Sequence, residues 1–92
     1  MGSKSFSEAL IDLKMGHKVQ RDGWNGKGMW VTLMKGYPEG VKSNQASQEA
    51  YSVLVGTVIR VLPYLAMKTA PGARCPWLAS QTDILADDWS IV

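Results

Sequence analysis

The residues best suited to chemistry fall into two stretches of this 92-residue chain. The first, Arg21-Asp22-Gly23-Trp24-Asn25-Gly26-Lys27-Gly28-Met29-Trp30, sets two indoles around a turn containing three glycines. Its backbone N–H groups, Lys27 and Arg21 can receive an anion, while Trp24 or Trp30 offers a flat face to a nucleobase. Such stacking contributes about 1–3 kcal/mol per base. The second stretch, Pro76-Trp77-Leu78-Ala79-Ser80-Gln81-Thr82-Asp83, places an indole ahead of small polar side chains at a helix entrance. There, free N–H groups favour an anion, and Ser80, Gln81 and Thr82 can meet phosphate or ribose oxygens. Each stretch also has a plainer reading. The indoles can belong to the core or a subunit interface, and Ser80 can simply cap its helix. Neither stretch spells GxxxxGK[ST] or GxGxxG.

Other reactive side chains point away from catalysis. His17 is the sole histidine, just past a helix end, and reads as a surface or capping residue with no second metal ligand near it. Cys75 precedes Pro76 without a CxxC pattern or a base partner, and reads as a buried structural thiol. Asp83, Asp87 and Asp88 form the main carboxylate cluster. Positions 83 and 87 would share a helix face as a metal site or an acid and base pair. The plainer expectation makes Asp83 a favourable charge at a helix start and leaves Asp87 and Asp88 solvated at the helix exit. A carboxylate accepting ribose hydroxyls is a further option.

These side chains need elements to hold them. Ser5 and Glu8 have capping-box spacing, and Phe6, Ala9, Leu10 and Leu13 follow at helical spacing up to Gly16, a natural left-handed cap. Lys18 to Arg21 and Met29 to Lys35 read as strands joined through the Asn25-Gly26 turn as a hairpin with an enlarged tip. Gly36 to Gly40 breaks the pattern, and Gln45 to Val53 reads as a helix capped by Ser43 or Asn44. The apolar run Val58 to Thr69 reads as a strand interrupted at Pro63. After a Pro71-Gly72 turn, Arg74 to Leu78 returns antiparallel, with Pro76 marking an irregular edge. Ser80 and Asp83 open a short helix, Gln81 to Ala86, and Trp89 to Val92 closes the chain as a strand. The expected fold is a small α+β domain over 1–92, with a mainly antiparallel sheet, two or three short helices and a disordered or cloning-derived start over 1–4.

Size and charge bound the function. A chain this short buries about 60 to 65 % of the surface it exposes unfolded, too little core to hide four Trp easily. Some rings therefore belong to a subunit interface or a ligand pocket. The net charge of +2 is too weak for a general nucleic-acid binder, although a small anion remains a suitable ligand. One cysteine makes no internal disulfide, and no run approaches a membrane span or a signal peptide, so an intracellular setting is the default.

The sequences FSEALIDLKMGHKVQRDGWNGKGMW and LPYLAMKTAPGARCPWLASQTDILADDWSIV together resemble a phage and prophage family formerly catalogued as a domain of unknown function. Its best-known members are the second type of Thoeris anti-defence protein. The resemblance spans nearly the whole chain and is least distinctive from about Gly36 to Gly56. Pro71-Gly72-Ala73 departs from the family turn, which runs closer to an Asp-Gly pair. The resemblance implies a non-enzymatic sponge in the host cytoplasm, a homotetramer with pockets at subunit interfaces. It would sequester cyclic ADP-ribose-type signals made from NAD by bacterial TIR-domain enzymes, and relatives also take cyclic oligonucleotides.

No cofactor or metal is implied. On that basis the ligand-binding residues are expected to be Arg21, Trp24, Asn25, Gly26, Lys27, Met29 and Trp30, with Trp77, Ser80, Gln81, Thr82 and Asp83. The indoles would stack, Lys27 with Ser80 or Thr82 would meet phosphate, and Asn25 or Asp83 would meet ribose. Competing readings are an enzyme cleaving the same signals, with Asp83 or Asp87 as base, and a phage protein-interaction module.

Overall fold

The capping pair at the start of the chain forms as its spacing dictates. In α1 (Phe6–Lys14), Ser5 Oγ accepts the Glu8 N–H at 3.2 Å and the Glu8 carboxylate accepts the Ser5 N–H at 3.1 Å. Beyond the last turn Gly16 adopts φ +95°, which an L side chain would resist. One face of the helix buries Ala9 and Leu13. Asp12 can share that buried face because Lys4 Nζ lies 2.8 Å from its carboxylate.

The computed structural model describes residues 2–24, 27–54 and 56–92. Five strands make one antiparallel sheet in the order β6 (Arg74–Pro76), β5 (Tyr64–Lys68), β2 (Trp30–Met34), β1 (Val19–Arg21) and β7 (Trp89–Ile91). Registers Val19↔Val31 and Val31↔Met67 set three apolar side chains in a row across it. With Ala9, Leu13 and Trp89 they are the buried core beneath α1. Because side chains alternate along a strand, Trp30, Thr32 and Met34 project from the opposite, open face. Arg21, two residues from Val19, falls on the core side and lies opposite Trp89 in the register. The Asn25-Gly26 turn expected at the β1–β2 tip lies outside the described residues.

The middle of the chain departs from the sequence reading. The stretch from Gly36 to Gly40, expected as a break, begins strand β3 (Tyr37–Lys42), which pairs with β4 (Val58–Val61) as a separate two-stranded sheet. Pro38 costs this ladder little because β3 is paired on one side only. Gly36 is required here, since at φ +64° any Cβ would press on the Val61 carbonyl. The single run anticipated over 58–69 is therefore two strands in two sheets, and Pro63 sits at the crossing between them. Helix α2 (Gln45–Tyr51) follows β3, with Asn44 Oδ1 accepting the Ser47 N–H at 2.8 Å, and buries none of its residues. Together β3, α2 and β4 form an arm. The molecule measures 47 × 26 × 21 Å, with a radius of gyration of 15.6 Å, against about 12 Å for a compact chain of this length.

The last elements are shorter than their sequence signals. Strand β6 stops at Pro76, and α3 (Gln81–Ile84) is a single turn capped by Ser80, whose Oγ accepts the Asp83 N–H at 3.1 Å. The architecture is thus α+β, with three short helices and antiparallel pairing throughout the described strands. Trp89 is fully buried at its centre, so Trp89→Ala should remove about 3–5 kcal/mol, most of a small domain's stability. Urea unfolding followed by far-ultraviolet circular dichroism should show the transition lost or moved to very low denaturant.

Candidate functional site

Arg21 sits where the first stretch meets the last. Its guanidinium gives Nε to Asp88 Oδ1 at 2.7 Å and a terminal nitrogen to Asp83 Oδ1 at 2.8 Å, with a longer contact of 3.4 Å to Asp88 Oδ2. Asp88 Oδ2 also accepts the Gly23 N–H at 2.8 Å, and the Asp88 carbonyl accepts the Asp22 N–H at 3.1 Å. The glycine loop is thereby tied at its first foot. Lys68 ties the other foot by donating to the Gly28 carbonyl at 2.8 Å.

Asp83 serves three aromatic and cationic neighbours at once. Its carboxylate accepts Arg21 and the Trp24 indole N–H, the latter at 3.1 Å, while its backbone carbonyl accepts the Trp89 indole N–H at 2.9 Å. Around it Trp24, Trp77, Trp89 and Phe6 pack ring against ring. Trp24 meets Trp89 edge-on at 5.3 Å, and Phe6 meets Trp89 at 5.4 Å. Edge-to-face pairs align a positive ring edge with a negative ring face, a gain beyond buried area.

The charges respond accordingly. Burial pushes the Asp83 carboxyl up, but hydrogen bonds from Arg21, Trp24 and Ser80 outweigh it and hold the group below the ordinary carboxylate value. For Asp88 the Arg21 hydrogen bond is the largest influence and again lowers the carboxyl, with burial opposing. Arg21 is raised in return, chiefly by its bond to Asp88. Both carboxylates are thus fixed as anions, the reverse of a group poised near neutrality to trade protons.

Beside this clamp, Gln20, Arg21, Asp22, Trp24, Lys27, Gly28 and Met29 line an open cleft of about 410 Å³. The size suits a small ligand. The sequence carries its own statement of kinship: residues 4–92 match the model of the Thoeris anti-defense 2-like domain. The chain belongs to the Thoeris anti-defense 2-like family. It is also 40% identical over 91 residues to the protein named Thoeris anti-defense 2 of Bacillus phage SP01, covering 96% of this chain and 93% of that one.

Within this Thoeris anti-defense 2-like chain the expected site residues separate into groups. Arg21, Trp24, Lys27 and Met29 share the cleft. Trp77 and Asp83 stand behind it in the aromatic cluster, and Trp24 turns its indole N–H inward to Asp83. Ser80, Gln81 and Thr82 are exposed at the start of α3, with Ser80 Oγ engaged as the cap. Trp30 lies on the open face, where Lys18 Nζ stands 4.7 Å and the Arg74 guanidinium carbon 5.5 Å from its ring centroid. Asn25 and Gly26 lie outside the described residues.

Three sequence expectations are corrected. Asp88 is not solvated but is half-buried against Arg21. Asp87 does not share a helix face with Asp83, because α3 ends at Ile84. Cys75 is exposed rather than buried, because β6 is an edge strand of the sheet. His17 is exposed, as its position past the helix end suggests. Sequence reasoning missed Asp88, Phe6 and Trp89 as supports of the loop, and Gln20 in the cleft. The charge of Arg21 on a strand otherwise pointing Val19 inward was the available signal for a buried acidic partner.

The clamp carries a pH dependence. Both Asp83 and Asp88 have folded pKa values below their unfolded ones, so their stabilisation is fully present above about pH 4–5, near the unfolded value, and is lost as pH falls through the folded values. The urea midpoint should therefore hold steady from neutrality to about pH 5 and drop below pH 4. The double variant Asp83→Asn with Asp88→Asn should start lower at pH 7 and lose less on acidification. Arg21→Ala, which strands two carboxylates, should cost about 2 kcal/mol or more at pH 7 in the same measurement.

Proposed function

We propose that this protein is a phage anti-defence sponge, which binds cyclic ADP-ribose-type immune signals made by TIR-domain enzymes and withholds them, uncleaved, from their effector. The observation that carries the reading, beside family membership, is the glycine loop tied at both feet before any ligand arrives, by Asp88 at Gly23 and by Lys68 at Gly28. A sponge gains only from tight binding, and a pre-ordered loop avoids the entropy of ordering it on contact. Nanomolar retention requires about −12 kcal/mol. Trp24 provides an aromatic wall, Lys27 an exposed cation for phosphate, and Gln20 with the loop backbone further polar contacts.

A non-catalytic role follows from the same chemistry. Asp83 already answers Arg21, Trp24 and Trp89, and Asp88 answers Arg21 and Gly23, so neither is free to serve as a general base. This disfavours the competing hydrolase. Assembly as a homotetramer in the host cytoplasm, with pockets completed between subunits, is supported by the arm: a two-stranded sheet is barely stable alone. Here Tyr37, Tyr51, Leu54, Val58 and Leu62 stand exposed on it.

Calorimetry against a panel of cyclic ADP-ribose isomers and cyclic oligonucleotides tests the ligand class. Saturable binding of a cyclic ADP-ribose isomer, followed by release of intact ligand mass on heat denaturation, is the expected result. A hydrolysed product sinks the sponge reading, and silence across the panel favours a protein-interaction module. Lys27→Ala should weaken binding about tenfold or more, the worth of one charge-assisted hydrogen bond, while leaving the melting temperature unchanged.

A further inference from the structure

The open face of the five-stranded sheet carries its own set of groups, separate from the glycine-loop cleft. Alternation along β2 and β5, with the registers Trp30↔Lys68, Thr32↔Ala66 and Met34↔Tyr64, sets the side chains of this face in cross-strand rows. Trp30 stands at one end and Tyr64 with Met34 at the other, four residues or about 13 Å along the strand. Between them the floor is small, Thr32 beside Ala66. Arg74 and Pro76 of β6 wall one side, and the basin they enclose has a volume of about 400 Å³, within the range of small-molecule sites.

The charge on this face is one-sided. Lys18 and Arg74 both lie against the Trp30 ring, at 4.7 and 5.5 Å from its centroid, and Lys68 lies in the same row as Trp30. The strand sequences VQR, WVTLM, YLAMK, RCP and WSI contain no carboxylate. Among the described residues, the ion pairs engage Lys4 and Arg21 but neither Lys18 nor Arg74. An unneutralised pair of cations beside an indole, opening on a basin floored by a threonine and an alanine, matches a ligand that is flat and apolar at one end and anionic at the other. A second copy of this chain would need to bring its own acidic strand face here, and its strands have none.

We infer that this basin is a second binding site, for a nucleotide whose base lies over Thr32 and Ala66 between Trp30 and Tyr64 and whose phosphate meets Arg74 and Lys18. The site shares no residue with the glycine-loop cleft. Its occupancy is therefore independent of whether that cleft holds a cyclic ADP-ribose-type signal.

Calorimetric titration of the full chain with ADP, adenosine and inorganic phosphate tests the assignment, with the indole N–H resonance of Trp30 as the local reporter. ADP should bind saturably and move that resonance. Adenosine should bind about tenfold or more weakly for want of the charged contact, and phosphate alone should bind more weakly than ADP for want of stacking. Arg74→Gln and Trp30→Leu should each weaken ADP by about tenfold or more. Arg74→Gln should leave any retention of cyclic ADP-ribose unchanged, which separates failure of this site from failure of the cleft. ADP binding that survives both substitutions overturns the proposal. So does absence of ADP binding at millimolar concentration. A change in oligomeric mass on Trp30→Leu, measured by light scattering without ADP, also overturns it and assigns the face to a contact between copies.

Discussion

The pairing of Arg21 with Asp83 and Asp88 is the constraint on which the functional end of the molecule is built. A guanidinium on the inward side of β1 must be neutralised, and its planar fork reaches two carboxylates that flank the turn between α3 and β7. Meeting that need draws the end of the chain onto the foot of the glycine loop. It also leaves Asp83 oriented to receive two indole N–H groups, one at its carboxylate and one at its carbonyl. Charge neutralisation, aromatic packing and loop placement are therefore one arrangement rather than three.

That arrangement explains how a short chain accommodates four tryptophans. Three of them, Trp24, Trp77 and Trp89, share a cluster with Phe6 in which Trp89 is fully buried and the others are half-buried. Trp30 is left out because strand alternation turns it to the other face of the sheet. The two indoles that flank the glycine turn in sequence are thus divided by the sheet itself.

What the sequence disclosed was local. Ser5 with Glu8 and Ser80 with Asp83 are three residues apart, so donor and acceptor can be matched without knowing the fold. Val19, Val31 and Met67 were legible as strand residues because apolar branched side chains mark them. The bond between Arg21 and Asp88 joins positions 67 residues apart, and no spacing rule announces such a pair. Strand β3 was hidden for another reason. Tyr37-Pro38-Glu39-Gly40 has neither alternation nor strand propensity, and its pairing depends on positive-φ glycines at 36 and 40 that look like breaks. Cys75 misled because thiols are usually buried, whereas its strand happens to be the outermost.

The arm gives the molecule an uneven thermodynamic profile. It joins the main sheet through short connections, one at Gly36 and the other at Pro63, and it contributes no residue to the buried core. Its backbone bonds can open while those of β1, β2 and β5 stay closed, so the chain has a weak cooperative unit grafted on a strong one. In hydrogen exchange the amides of β3 and β4 would lose protection long before Val31 and Met67. Because the clamp belongs wholly to the strong unit, fluctuation of the arm leaves the geometry of the glycine loop undisturbed.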